Sequence, residues 1–466
     1  MATRNGNNNN KNNKNKKRAA GFALVAALAA LAVVAPVVEA APAKAVASAP
    51  KPFELPKNPV SKVNVSFGSK DISVAGVTVK QPVWSQTINL KQVDPTRKNV
   101  FWTRLTFDAT QTKLRKPKKA PTTAAWGADQ PGDVIRITSV LDKAVQYLNA
   151  DSLAQWSFQS AFFNGPAVTV ELLADPAADA TVKPAVIVMS VTTNDEDGFS
   201  ADPINLPPPT TLCNAADLRK PVTDLRNGRI FPVGCTGWTI NDKNGCHTSA
   251  GHCFDGVDAT QQVLQVGVPQ SAVIVKDGVK VGIPRHPDPK YQFAVDASSV
   301  QYKLLSELDV DNAVDAEDWS YFGTFRNPNT GLTQREAANN QSYTLAKVTN
   351  GVIAPGQAAV GDVVTITGFG NVRDQARKNL RLTQQTATGS LASFPDKYHI
   401  NHRVDTEGGN SGSAMVVKKN GKEIAVGIHT NGGCDTTSST SANYGSSVNQ
   451  RGYQAALAAP KGVCKA

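Results

Sequence analysis

Two short stretches, far apart in the chain, hold residue types that bond-making chemistry needs. In Cys246-His247-Thr248-Ser249-Ala250-Gly251-His252-Cys253, small residues precede an imidazole that stands beside a cysteine. A general base needs a fixed position and a fixed tautomer, and a bridged cysteine next to His252 supplies both. In Gly408-Gly409-Asn410-Ser411-Gly412-Ser413, glycines free the backbone to aim several N–H groups at one point while the Ser411 hydroxyl projects. Such a loop supplies a nucleophile together with an oxyanion hole.

The elements that must position these residues are mostly strands. The chain has 466 residues, long enough for two or more domains, and its 41% hydrophobic and 19% charged content is that of a globular protein. Its net charge is +11, but six basic residues and one acid lie in the first 40, which leaves +6 on the rest. No basic stripe with interleaved aromatics appears, so nucleic acid is not an expected partner. The run Lys113-Leu114-Arg115-Lys116-Pro117-Lys118-Lys119 is expected to be a solvated loop.

The chain opens with an Asn-rich basic stretch, then an apolar run from Ala19 to Ala35 and the small-residue pattern Val38-Glu39-Ala40. This is the pattern of a secretory signal peptide over 1–40, so the protein is expected outside the cell with no stable membrane partner. All six cysteines (Cys213, Cys235, Cys246, Cys253, Cys434 and Cys464) lie beyond a Pro-rich stretch near residue 205. An even number in a secreted chain reads as three disulfides, and no pair has C-x-x-C spacing, so no metal is expected. Asn64 and Asn340 stand in N-x-S sequons that fit an extracellular fate.

Residues 41–59 read as a linker or pro-segment. Short alternating runs at Ile72 to Val79, Val100 to Phe107, Val134 to Val140, Ala167 to Leu173 and Ala185 to Val191 predict a β-sandwich-like accessory or pro-domain over 60–200. A Pro-rich linker follows at 201–212. From 213 to 466, short strands at Gly234 to Ile240, Val263 to Val268, Ala272 to Val275, Val363 to Thr367, Ser413 to Val417 and Ile424 to Ile428 predict a closed or paired barrel, with one helix over Gly452 to Ala459.

Ala250-Gly251-His252-Cys253 followed by Gly409-Asn410-Ser411-Gly412-Ser413 resembles the trypsin-like serine proteases, and within them the glutamyl-endopeptidase and lysyl-endopeptidase-like subgroup. The resemblance covers residues 213 to 464 and implies an all-β, chymotrypsin-like double β-barrel. It implies a secreted serine endopeptidase acting on protein or peptide substrates as a monomer, without cofactor or metal. Ser411 would be the nucleophile, His252 the base, and the backbone N–H groups of Gly409 and Ser411 the oxyanion hole. Of the acids between His252 and Ser411, Asp318 is the expected third member. It directly precedes an apolar strand in Glu317-Asp318-Trp319-Ser320-Tyr321-Phe322, 66 residues after His252 and 93 before Ser411. Asp309 and Asp311 are the alternatives. Ser249 stands where Thr is usual, and Ala414 where Pro often follows the nucleophile motif.

The same resemblance pairs Cys235 with Cys253. Tying the domain's two ends together would join Cys213 to Cys464 and leave Cys246 for Cys434. It also places Asp405, Thr406 and His429 at the S1 pocket, where their cues oppose one another. Asp405, six residues before Ser411, would select Lys or Arg, whereas Thr406 and His429 would receive the carboxylate of Glu or Asp. His429 paired with Asp405 could become a charged receptor, or Asp405 could face away. An acidic P1 residue is the expected preference and a basic one the alternative. A binding module on the protease fold and an ester hydrolase are the competing classes. Residues 60 to 200 hold no cluster suited to chemistry, and a segment around Phe162-Phe163-Asn164-Gly165-Pro166 resembles accessory domains of lysyl-endopeptidase-like enzymes.

Overall fold

The computed structural model describes residues 60–194, 211–305 and 317–465, apart from Lys98 and Asp277. The stretch 1–40 expected to be a leader, the stretch 41–59, most of the expected Pro-rich linker and the alternative acids Asp309 and Asp311 lie outside the described residues.

Alternation of inward and outward side chains builds the first half of the chain. Along Val60–Ser69 the burial alternates residue by residue, with Val63, Val65 and Phe67 turned inward. This strand opens an antiparallel sheet in the order Val60–Ser69, Val186–Asn194, Trp102–Phe107 and Phe163–Asn164. A second sheet runs Gln81–Asn89, Ala167–Ala174, Val134–Ser139 and Val145–Leu148. Leu105, Phe107, Val188 and Val191 of one sheet and Ile135, Ile137, Val170 and Leu172 of the other belong to one buried core. The predicted strand at Ile72 to Val79 does not form. The chain turns there, with Gly76 at φ +74° and the Val77 N–H donating to Val74 O at 3.4 Å.

The second half forms two closed six-stranded antiparallel barrels. The first runs Asn227–Phe231, Cys235–Thr239, His247–Ser249, Glu317–Thr324, Gln292–Leu305 and Val263–Gln265, which returns to Asn227–Phe231. The second runs Lys422–Asn431, Ala414–Lys419, Val363–Gly368, Gln385–Ser393, His399–His402 and Asn443–Ser447, which returns to Lys422–Asn431. Trp238, Phe293 and Phe322 from the first and Ile366, Met415 and Ile428 from the second share one continuous core. This all-β architecture is the chymotrypsin-like double barrel that the resemblance implied. The C-terminal helix spans Arg451–Ala458.

The sandwich does not stand apart from the barrels. Phe231, Val263 and Ala294 of the first barrel are buried in the core of the sandwich. Phe231 packs edge-on to Phe162 with centroids 4.9 Å apart, and His286 closes the cluster at 4.8 Å from Phe231 and 5.4 Å from Trp102. Polar groups are matched across the same junction. Phe162 N–H donates to Gln292 Oε1 at 3.0 Å while Gln292 Nε2 donates to Phe162 O at 2.8 Å, and Arg104 Nη1 donates to Gln261 O at 2.6 Å. Burial of a Phe side chain is worth about 1.5–3 kcal/mol. A chain beginning at Thr211 is therefore expected to expose Phe231, Val263 and Ala294 and to aggregate, which size-exclusion chromatography of the truncated chain checks.

Three disulfides form, and two differ from the expectation. Cys235 pairs with Cys253, as the resemblance implied, but Cys213 pairs with Cys434 and Cys246 with Cys464. The ends of the barrel region cross over, which is the physical reason. Cys213 lies beside the second barrel, its N–H bound by Asp405 at 2.7 Å. Residues Gly462–Cys464 come back to the first barrel, where Val463 N–H donates to Asp296 Oδ2 at 2.8 Å. Arg115 also departs from the solvated loop expected of its run. It is buried, with Nε and Nη2 each 2.8 Å from the Asp133 carboxylate. Among the described residues no helix is long and apolar enough to cross a membrane.

Candidate active site

His252 and Asp318 come from neighbouring strands of the first barrel. The strand His247–Ser249 pairs with Glu317–Thr324, placing Ser249 opposite Ser320, so the turn Gly251–Cys253 after the first lies beside the start of the second. Asp318 Oδ2 accepts from His252 Nδ1 at 2.7 Å, and Asp318 Oδ1 accepts the His252 backbone N–H at 3.0 Å. One carboxylate thus fixes both the ring and the main chain of the imidazole. The Cys235–Cys253 bridge packs against it, with both sulfurs within 4.8 Å of a ring nitrogen.

Burial pulls the His252 pKa down, but the charge and hydrogen bond of Asp318 outweigh it and hold the imidazole above its ordinary 6.5. Burial likewise pushes Asp318 up, while His252 and the backbone N–H groups of His252 and Gly251 bring it below the usual carboxylate value. With Nδ1–H given to Asp318, the neutral ring presents Nε2 as an acceptor.

Ser411 is carried by the second barrel on the loop before Ala414–Lys419, and the first barrel seats that loop. Thr236 N–H donates to Ser411 O at 2.9 Å, Thr236 Oγ1 to Gly409 O at 2.9 Å, and Trp238 Nε1 to Gly412 O at 2.8 Å. These bonds occupy the loop's carbonyls and turn its amides the other way. Gly409 has φ +103°, a conformation that favours glycine. Asn410 N–H donates to Glu407 O and Gly412 N–H to His429 O, whereas the N–H groups of Gly409 and Ser411 meet no protein acceptor among the described residues. Two unengaged donors therefore flank the hydroxyl. No hydrogen bond joins Ser411 Oγ to His252 among the described residues, and such contacts commonly tighten only around bound substrate.

No family model matches the chain, and no curated protein matches it. Among solved structures it is similar to a Glu endopeptidase in complex with MPD, at 18% identity and TM-score 0.34, covering 52% of this chain and 96% of that one. It is also similar to the protease Anisep from Arthrobacter nicotinovorans, at 16% identity and TM-score 0.35, covering 52% of this chain and 99% of that one. It is similar, too, to a thermostable serine protease, AL20, from an extremophilic microorganism, at 11% identity and TM-score 0.34, covering 51% of this chain and 98% of that one.

The three residues expected at the S1 pocket differ in what they face. Asp405 is buried and saturated: its carboxylate accepts from the N–H groups of Cys213 at 2.7 Å, Asn214 at 3.1 Å and Leu218 at 3.0 Å, and from Asn214 Nδ2 at 3.0 Å. His429 does not pair with it. Thr406 is fully buried, its hydroxyl donating to Thr211 O at 3.4 Å and accepting from Asn443 Nδ2 at 3.2 Å.

His429 Nδ1 instead lies 3.1 Å from His402 Nε2. Because Val404 N–H donates to His402 Nδ1 at 3.2 Å, the neutral His402 ring carries its proton on Nε2 and donates it to His429. His429 then carries its own proton on Nε2, which has no acceptor among the described residues. Burial lowers the pKa of His402 to about 3 and that of His429 well below 6.5, so both rings are neutral at working pH. Sequence reasoning missed His402. The cue was present, since it is one of only six histidines and stands three residues before Asp405.

Proposed function

We propose that the protein is a secreted serine endopeptidase that cuts peptide bonds through an acyl-enzyme, with Ser411 as nucleophile, His252 as general base and Asp318 as its orienting acid. The observation that carries this reading is the double hold of Asp318 on His252, set beside a nucleophile loop with two unengaged N–H groups. In the first step Ser411 Oγ attacks the substrate carbonyl carbon while His252 Nε2 takes the hydroxyl proton. Charge that builds on the carbonyl oxygen is received by the N–H groups of Gly409 and Ser411. His252 next gives its proton to the leaving amine, and water then hydrolyses the acyl-enzyme with the same base. Six cysteines in three disulfides and the leader at 1–40 support an extracellular site of action.

For the P1 residue, an acidic side chain fits best. The His429 Nε2–H is a fixed donor because His402 holds Nδ1, and Gly412 N–H bonds to His429 O at 2.8 Å, which ties this strand directly to the nucleophile loop. Asp405, with four donors already on its carboxylate, has little left to offer a cationic side chain.

Digestion of a mixed peptide library, with cut sites read by mass spectrometry, tests both parts. Cuts after Glu or Asp are expected, and none with Ser411→Ala. His429→Val should lower kcat/KM for a Glu substrate by about 10- to 100-fold, the worth of one hydrogen bond to a charged group. Cuts after Lys or Arg would return the pocket to Asp405, and no cutting at all would favour a binding module on the same fold.

A further inference from the structure

The nucleophile loop contains three glycines, Gly408, Gly409 and Gly412, and a flexible backbone does not by itself keep two N–H groups converged on one oxygen. Its remaining side chain before the serine, Asn410, is buried and braces the turn internally. Asn410 Oδ1 accepts from Glu407 N–H at 3.1 Å, and Asn410 N–H donates to Glu407 O at 2.9 Å. A second donor reaches the same Oδ1 from a segment 191 residues earlier in the chain: Arg219 Nη1, at 3.4 Å.

Arg219 is a buried and fully directed guanidinium. Its Nε and Nη2 hold the Asp217 carboxylate at 2.9 and 2.8 Å, and Nη2 also donates to Asn371 O at 2.8 Å. Asn371 N–H in turn donates to Gly408 O at 2.7 Å, so both ends of the turn before Ser411 are tied to one arginine. Space is reserved for this contact. A Cβ on Gly370 would stand 2.2 Å from Asn410 Oδ1 and 2.3 Å from Arg219 Nη1, closer than any side chain tolerates. The segment that carries Arg219 is itself anchored, by the Cys213–Cys434 bridge and by the N–H bonds of Cys213, Asn214 and Leu218 to Asp405.

We propose that Arg219 is a positioning residue for the oxyanion hole: acting through Asn410, it holds the Gly409 and Ser411 N–H groups in register. This rests on the serine-endopeptidase reading. Arg219 touches no reacting atom. Its effect belongs to the transition state, in which the oxyanion draws on those two donors, and not to ground-state binding.

The test uses the full chain, with intact mass confirming that it is uncut, and compares Arg219→Ala, Arg219→Lys, Asn410→Ala and the Arg219→Ala/Asn410→Ala double variant. Readouts are kcat and KM on the best library peptide and the affinity of a peptide boronate, whose tetrahedral adduct occupies the oxyanion hole. A displacement of about 1 Å is worth about 10² in rate. The single Ala variants are therefore expected to lose about 10²-fold in kcat with KM nearly unchanged, and boronate affinity should fall by the same factor. Arg219→Lys should lie between, and the double variant should be no worse than the worse single one.

Folded Arg219→Ala and Asn410→Ala proteins with unchanged kcat, or with only KM raised, would overturn the proposal. If Arg219→Ala does not fold, Arg219→Lys decides: it keeps a cation beside Asp217 but loses the guanidinium fork that also reaches Asn410 Oδ1, and an unchanged kcat there overturns the proposal. A wild-type chain inert to both peptide and boronate, cut or uncut, would sink the endopeptidase reading itself.

Discussion

Asp318→Asn is expected to lower kcat by about 10⁴-fold at neutral pH while the protein stays folded. Asn matches Asp in shape, but one of its two terminal atoms is a donor. Asp318 receives two N–H groups, from the His252 main chain at 3.0 Å and from Nδ1 at 2.7 Å. An amide accepts well at only one atom, so when its oxygen takes the main-chain N–H, its NH₂ faces Nδ1. The imidazole then shifts its proton to Nε2 and cannot take one from Ser411.

The pH profile separates this from a loss of folding. In the wild type, burial lowers the His252 pKa, but the Asp318 charge and hydrogen bond raise it further, to a net position above 6.5. The base must be neutral to act, so activity is lost as pH falls through that raised pKa, and the acid limb of kcat/KM lies above pH 6.5. In Asp318→Asn the raising causes are gone and burial remains, so the limb should move to lower pH. An unmoved limb would mean that another group supports His252.

What could be read from the sequence was what the backbone demands locally. Ala250-Gly251-His252-Cys253 is legible because its glycine answers a nearby constraint: a Cβ on Gly251 would lie 2.0 Å from Lys303 O. The loop at Ser411 is legible for the same reason, with Gly409 at positive φ. Closed barrels followed from the resemblance, while the strands at Val134–Ser139, Ala272–Lys276 and Val363–Gly368 showed in their periodicity alone.

Features that depend on which segments meet across the fold were not legible. Asp405 has the spacing of a pocket acid, yet its donors come from residues 187 to 192 positions earlier. His402 matters through a ring 27 residues away. Cys213, Cys246, Cys434 and Cys464 were mispaired because nothing local reveals that Cys464 returns to the first barrel, whereas Cys235–Cys253 forms as expected. Val263 reads as an ordinary strand residue, and only the docked sandwich shows that it completes that core together with Phe231 and Ala294. Arg219 was invisible for the same reason, since its partner Asn410 lies 191 residues on.

Ser411→Ala should have the largest effect of all, about 10⁶-fold in kcat, because it removes the atom that forms the acyl-enzyme. It should not remove everything. The N–H groups of Gly409 and Ser411 belong to the backbone and survive the substitution, and a residual rate about 10³- to 10⁴-fold above the uncatalysed reaction is expected from them and from binding. KM should change little, since the hydroxyl contributes nothing to the pocket around His429.

The double variant Asp318→Asn/Ser411→Ala is the sharper measurement. Independent contributions would multiply to about 10¹⁰-fold, whereas groups that act as one unit lose their value together. With Ser411 gone, His252 has no proton to take and Asp318 has nothing to orient. The double variant is therefore expected to be no slower than Ser411→Ala alone. A further loss would show that Asp318 and His252 also drive a direct attack by water, so that the pair contributes without Ser411.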